Sequence, residues 1–180
     1  SSQCPSVCLG STRRGTPVEL AEPVAGADFL ICLGNIEYHY FAGYSGGAKA
    51  IMPGVSTRAA IQANHRHMIE PGAQAGRLEG NPVREDLEEA VRFRPIDFLL
   101  NVVLDEHKEI VHASAGHWRS AHREGCRFLD RLYRRDIPRR SGIVLVSQGG
   151  APKDLNLYQT QKALDNAGHA VKDGGIIILT

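Results

Sequence analysis

Short apolar runs alternate with amphipathic segments along most of the chain. The runs at 27–33 and 143–147 have the sequences ADFLICL and IVLVS, which are typical of buried strands. Further strands are predicted at 96–104, at 109–113 and around Ile176. Between strands, apolar residues recur every three or four positions, which predicts helices over about 56–69, 81–91, 117–134 and 155–170. This alternation predicts an α/β fold with mainly parallel sheets flanked by helices.

A charged, proline-containing stretch divides the chain. The sequence RRDIPRR at 134–140 has no apolar periodicity, which favours a domain boundary there. We therefore expect parts of two α/β domains, over 1–136 and 141–180, the second containing a β-α-β unit. Because the last apolar strand would normally lead into a further connection, the chain is expected to be a piece of a longer protein.

Composition excludes some classes of function. Hydrophobic residues make up 42% of the 180 residues and the formal net charge is +1, so nothing favours general binding to nucleic acid or to an anionic membrane surface. No apolar run approaches the roughly 20 residues of a membrane-spanning helix. The cysteines are scattered, which predicts free thiols and a cytoplasmic protein. They are Cys4, Cys8, Cys32 and Cys126.

Two glycine-rich loops, at 43–47 and 149–150, follow predicted strands, which is where parallel sheets bind their ligands. Glycines in the first loop let backbone N–H groups approach an anion, so a phosphate-binding turn or a tight turn without a ligand would fit. Ala50 stands where a Walker loop needs Ser or Thr, which excludes that motif. GYSGG also matches a nucleophile elbow, but its serine does not directly follow the strand, which disfavours a hydrolase.

Two lysines have settings that suit different chemistry. Lys49 lies within the apolar run 48–52, where burial would lower the pKa of its amine and make it a nucleophile. Lys162 follows Gln159 by three residues, so the two share a helical face. The pair could bind a carboxylate or could belong to a solvated helix surface.

Most of the eight histidines have ordinary explanations. His107 lies in a predicted turn, His117 and His122 lie on a predicted polar helix face, and His169 lies near a predicted helix end. His65 and His67 are two residues apart, so a helix would point them to different faces and they could not both bind one metal. His65 is on the apolar side, as a hydrogen-bonded core histidine or, in the less common case, as a metal ligand.

Three separated motifs together resemble the lactate racemase family, the nickel-pincer nucleotide enzymes. His39 precedes Lys49 by ten residues with GYSGGAK between them, His65 follows, and SQGGAPKDLNLYQTQKAL comes after the charged stretch. The resemblance begins at the sequence GSTRRGTP at 10–17 and covers nearly the whole chain.

The resemblance implies a role for each matching residue. His39 would be one of two catalytic acid/bases, and Lys49 would be bonded through a thioamide to the nickel-pincer nucleotide, pyridinium-3,5-bisthiocarboxylic acid mononucleotide nickel. His65 would bind the nickel, and Gly46 and Gly47 would make room for the nucleotide. Gln159 and Lys162 would bind the substrate. The same resemblance implies that 1–136 is the C-terminal part of the N-terminal catalytic α/β domain and that 141–180 is the beginning of a second, Rossmann-like α/β domain.

The implied activity is racemisation or epimerisation of a small, lactate-like 2-hydroxy acid by reversible hydride transfer. The second catalytic histidine would lie in a region outside this chain, so the chain alone is expected to be inactive. Cofactor-synthesis enzymes would be partners, and no nucleic acid or membrane is expected. Tyr38, Tyr40 and Phe41 would line the substrate's side-chain pocket or belong to the core. The alternative is a nucleotide-binding α/β module without nickel-dependent catalysis.

Overall fold

The computed structural model describes residues 4–151 and 154–180. These residues form two compact units, one ending at Tyr133 and one beginning at Arg134. The boundary between the units along the sequence therefore falls at the start of the charged stretch at 134–140. The assignment of each unit to a domain of a longer protein stays a prediction.

The first unit contains seven strands and four α-helices among its described residues. They are β1 (Ser6–Ser11), β2 (Pro17–Ala21), α1 (Glu22–Ala25), β3 (Ile31–Asn35), β4 (Tyr38–His39), β5 (Gly43–Tyr44), α2 (Arg58–His65), α3 (Pro82–Ala90), β6 (Phe98–Leu104), β7 (Ile110–Gly116) and α4 (Trp118–Tyr133). Two 3₁₀ turns, Gly47–Ala50 and Arg66–Ile69, follow β5 and α2.

A three-stranded sheet in the order β3-β6-β7 supports this unit. β3 runs parallel to β6, and β6 runs antiparallel to β7. Helix α4 packs against β6 and β7. Side chains alternate between the two faces of the sheet, so Cys32 and Leu99 are buried while Ile31 and Leu33 are exposed. The prediction of a buried strand at 27–33 is therefore wrong in two respects, because the strand begins at Ile31 and only one of its faces is covered by the described residues.

The helix boundaries follow from capping side chains. Asn81 accepts a hydrogen bond from the Arg84 N–H and begins α3, as predicted. For α2 the predicted start is wrong by one residue, because Thr57 and not Ser56 accepts from the Ala60 N–H. The predicted α2 also ends too late, since residues after His65 tighten into the 3₁₀ turn. The apolar residues that recur every three or four positions along α3 are buried, and they are Val83, Leu87, Ala90 and Val91.

The second unit is a β-α-β unit, as predicted. It consists of β8 (Ser141–Val146), α5 (Leu157–Gly168) and β9 (Val171–Leu179), with β8 and β9 parallel. The Asn156 side chain caps α5 by accepting from the Gln159 N–H at 3.0 Å. Ile143 and Leu145 were predicted to be buried but are exposed, so the described residues do not cover the face of β8 that carries these side chains. No helix in the described ranges has the length and apolarity to cross a membrane.

Candidate functional site

The turn from β4 to β5 is held in place at four consecutive carbonyl groups. Asn81 Nδ2 donates to the Phe41 carbonyl at 2.8 Å, and Arg84 Nε donates to the Ala42 carbonyl at 3.0 Å. The Gly76 N–H donates to the Gly43 carbonyl at 3.0 Å, and Arg84 Nη2 donates to the Tyr44 carbonyl. Asn81 and Arg84 are fully buried. The first turn of α3 therefore fixes the backbone that carries the predicted acid/base His39.

His39 lies on β4, opposite Gly43 of β5. Its Nδ1 accepts a hydrogen bond from the Ala42 N–H at 3.2 Å. Its ring stacks on Tyr40 with 5.3 Å between ring centroids. Because Nδ1 is an acceptor, the neutral imidazole carries its hydrogen on Nε2 in this arrangement.

Lys49 lies in the 3₁₀ turn that directly follows the glycines. Ala48, Ile51 and Met52 around it in sequence are buried core residues. Burial, with a smaller contribution from the positive charge of Arg84, lowers the pKa of the Lys49 amine to about 8. At pH 7 about a tenth of this amine is uncharged, far more than for an ordinary lysine, which favours its action as a nucleophile.

His65 ends α2, and His67 lies in the 3₁₀ turn that follows. Burial and the charge of Lys49 both lower the pKa of His65, so its imidazole is held in the neutral form that binds metals. His67 instead pairs through Nδ1 with the carboxylate of Glu70 at 2.5 Å. Within the described residues, no three His, Cys, Asp or Glu side chains form a metal-binding group, so a metal on His65 would need most of its ligands from elsewhere.

The glycines of the loop have a packing role of their own. Gly46 and Gly47 have φ angles of 70° and 59°, which disfavour a side chain. A Cβ at Gly46 would lie 2.7 Å from Asn101 Oδ1, and one at Gly47 would lie 2.7 Å from the His122 ring. The Gly47 N–H donates to Asn101 Oδ1 at 2.9 Å. Protein atoms therefore already require glycine here, and contact of these two residues with a nucleotide stays a prediction.

Sequence reasoning missed the buried polar groups beneath the loop, and for His122 it was wrong. His122 is fully buried, and its Nε2–H donates to the Ser45 carbonyl at 2.8 Å. Burial lowers the pKa of His122 to about 3, with a contribution from the charge of Arg84. The spacing of His122 with Gly125, Cys126 and Leu129 places it on the buried stripe of α4, and this was the signal available in the sequence.

In the second unit, Gln159 and Lys162 lie together as their spacing predicts. Lys162 Nζ donates to Gln159 Oε1 at 2.8 Å and lies 5.3 Å from the centre of the Tyr158 ring. Both side chains line a cavity of about 190 Å³. Its other lining residues are Ser147, Gln148, Ala163 and Asn166. An ammonium group, three amide groups and one hydroxyl group thus converge on a space that suits a small carboxylate.

The arrangement defines a class of protein: an α/β protein with a reactive lysine and a neutral histidine on one unit and a small polar cavity on another. Two family models match the chain, the lactate racemase N-terminal domain at residues 2–76 and the lactate racemase C-terminal domain at residues 138–180. Together they cover more than half of the sequence. The chain belongs to the lactate racemase family, which confirms the resemblance.

Curated relatives agree with this assignment. The chain is 39% identical over 173 residues to a lactate racemase of Thermoanaerobacterium thermosaccharolyticum, a match that covers 95% of this chain and 40% of that protein. It is 38% identical over 176 residues to a lactate racemase of Lactiplantibacillus plantarum, with 96% of this chain and 41% of that protein covered. The chain thus spans about 40% of the length of these relatives.

Solved structures show the same fold. The structure of the lactate racemase apoprotein from Thermoanaerobacterium thermosaccharolyticum matches with a TM-score of 0.93 and 39% identity, over 97% of this chain and 42% of that one. A crystal structure of a protein from Thermotoga maritima matches with a TM-score of 0.62 and 20% identity, over 79% of this chain and 40% of that one, and this likeness concerns the fold alone. The predicted α/β fold is confirmed.

Proposed function

We propose that the protein racemises or epimerises a small 2-hydroxy acid, with lactate as the first candidate, using a nickel-pincer nucleotide bonded to Lys49. The observation that carries the proposal is the pairing of an amine of lowered pKa with a neutral imidazole, at Lys49 and His65, in a chain of the lactate racemase family. We further propose a cytoplasmic location, which the free thiols of the four cysteines support.

The residues present fit the proposed cofactor. An uncharged amine is the form of lysine that can attack an activated carbonyl or thiocarbonyl carbon, and burial favours that form at Lys49. A neutral imidazole is the form of histidine that binds nickel, and burial favours it at His65. When bound, the cofactor would supply a reversible acceptor for the hydride on C2 of the substrate.

His39 would move the proton of the substrate hydroxyl at its Nε2 atom. In the arrangement described above, Nε2 carries the ring hydrogen and the Ala42 N–H occupies the Nδ1 lone pair. To accept a proton at Nε2, the ring must first hold its hydrogen on Nδ1, and the 3.2 Å contact with the Ala42 N–H must open. At 3.2 Å this contact lies at the long, weaker end of the range of ordinary hydrogen bonds.

Gln159 and Lys162 would bind the substrate carboxylate. Lys162 offers a positive charge, and Gln159 offers an amide N–H once its oxygen has accepted from Lys162. Such contacts would orient the acid without taking part in the transfer of its proton or hydride.

The test uses the complete protein that contains this chain, matured with cofactor-synthesis enzymes and incubated with L-lactate. Chromatography on a chiral column should show D-lactate accumulating to an equal mixture. His39→Gln, which keeps a similar size but cannot shuttle a proton, should lower the rate at least a hundredfold, within the usual range for acid/base catalysis of about 10²–10⁴. The control His107→Ala changes an exposed turn histidine and should leave the rate unchanged.

Two outcomes would contradict the proposal. One is full activity in the His39 variant. The other is a purified protein that carries a nucleotide but neither nickel nor racemase activity on any 2-hydroxy acid, and that result would favour the nucleotide-binding module instead.

A further inference from the structure

Phe41 lies between the two histidines that the proposed function uses. Its ring meets the His39 ring at a centroid distance of 4.5 Å and the His65 ring at 5.0 Å. The interplanar angles are 85° and 73°, so both contacts are edge-to-face. A single phenyl ring therefore contacts the imidazole from β4 and the imidazole from the end of α2.

Neighbouring aromatic contacts restrict the Phe41 ring further. Tyr40 stacks on His39 at an interplanar angle of 14°, and Phe41 meets Tyr40 at 81°. Phe41 thus packs nearly at right angles against a stacked pair of rings. Edge-to-face geometry is the preferred arrangement of aromatic rings, because the positive edge of one faces the negative face of the other. The contact therefore favours one orientation of each imidazole.

Backbone hydrogen bonds and burial restrict the movement of Phe41. The Phe41 carbonyl accepts from Asn81 Nδ2, and the next carbonyl accepts from Arg84 Nε. Phe41 is only 5% exposed and belongs to the main core cluster of the unit. Since the core is closely packed, the ring cannot turn aside without displacing its neighbours.

We infer that Phe41 is a positioning residue that sets the orientation of His39 and His65 together. The inference rests on the proposed function for its catalytic meaning, because that function gives His39 the proton and His65 the metal. A residue that only filled core volume could be replaced by leucine with little change at either imidazole. A residue that orients both rings could not.

The test is nuclear magnetic resonance of the complete protein that contains this chain, prepared without cofactor and with the imidazole groups labelled. In the unchanged chain, Phe41 ring protons should show nuclear Overhauser contacts to carbon-bound protons of both His39 and His65. In Phe41→Leu the imidazole resonances of both histidines should move, because the ring current of Phe41 is lost and both rings gain freedom. The resonances of His67, which pairs with Glu70, should stay in place and act as an internal reference.

Phe93→Leu is the matched control, since Phe93 packs against the same core cluster and its ring lies next to Gly10. It removes an equal aromatic volume and should leave the His39 and His65 resonances unchanged. The inference is overturned if Overhauser contacts to either histidine are absent in the unchanged chain, a result that does not depend on whether the leucine variant folds. It is also overturned if a folded Phe41→Leu chain shifts neither imidazole or only one, or if Phe93→Leu shifts both equally.

Kinetics of the complete, cofactor-loaded protein separate this inference from the proposed function. Phe41→Leu should lower kcat tenfold or more and change KM less than twofold, because misplaced reacting groups cost rate while the carboxylate contacts are made by Gln159 and Lys162. A changed KM with an unchanged kcat would contradict the positioning role. If the unchanged protein racemises no 2-hydroxy acid, the proposed function fails, and the resonances alone decide whether Phe41 orients the two rings.

Discussion

Lys49 and Lys162 lie on different units of the protein, and the surroundings of the two amines differ. Lys49 lies in a 3₁₀ turn flanked by buried Ala48 and Ile51, and burial lowers the pKa of its amine to about 8. Lys162 lines a cavity of about 190 Å³ and donates to Gln159 Oε1. Loss of water makes the first amine a nucleophile, whereas a polar cavity lets the second offer its charge to an anion. The surroundings, and not the residue type, separate the proposed anchor from the proposed substrate contact.

The largest expected effect is on the nickel content of the unit that contains Lys49. It follows from replacing His65, the proposed metal ligand. His65→Ala should lose nickel from the matured protein, whereas His67→Ala should retain it, because His67 pairs with Glu70 and lies in the turn beyond α2. Elemental analysis of the purified variants measures this. Equal nickel loss in both would mean that the site is assembled differently.

A smaller effect, on kcat/KM, is expected from replacing Lys162. Lys162→Ala removes a charge-assisted hydrogen bond worth about 1.5–3 kcal/mol, so kcat/KM should fall roughly ten- to a hundredfold. Nickel content should not change. Lys172→Ala, on an exposed strand position of the same unit, is the control and should keep full kcat/KM. If Lys162→Ala loses the cofactor while activity per nickel is unchanged, Lys162 holds the nucleotide and the two lysines do not differ in the way proposed.

The smallest effect at neutral pH concerns the buried histidine beneath the loop of Lys49. The pKa of His122 is about 3 in the folded chain and near 6.5 when unfolded, so the unfolded chain binds the extra proton first. The stabilisation is complete above about pH 6.5 and is lost as the pH falls toward 3, at up to about 1.4 kcal/mol per pH unit.

Denaturant unfolding at a series of pH values measures this loss. His122→Gln keeps an N–H donor for the Ser45 carbonyl and should show a smaller loss between pH 6.5 and 3. An equal loss in both proteins would mean that other groups cause the acid sensitivity.

Much of the fold could be predicted from the sequence because periodicity and caps are local signals. The helix predicted to begin at 81 is present as α3 with its recurring apolar residues buried, and the predicted β-α-β unit is present. Exposure of Ile31 and Leu33 could not be predicted, because it depends on which elements cover each face of the sheet. The residues of a single strand do not show which of its faces other elements will cover.

In the candidate site, too, features that depend on sequence neighbours could be predicted, whereas contacts between distant residues could not. The low pKa of Lys49 was predicted from its apolar neighbours in sequence and agrees with the structure. The role of Arg84 was not predicted, because its contacts to the Ala42 and Tyr44 carbonyls join residues about 40 positions apart. A buried arginine on a helix with acidic neighbours is indistinguishable by sequence from a solvated one.

The central claim is that Lys49 is the residue made reactive for covalent attachment, and one measurement tests it most directly. Peptide mass spectrometry of the matured, cofactor-loaded protein should place the adduct on the peptide that contains Lys49. Lys162 should be recovered unmodified in the same digest. An adduct on Lys162 or on any other lysine, or a loaded protein whose Lys49 peptide is unmodified, would contradict the account.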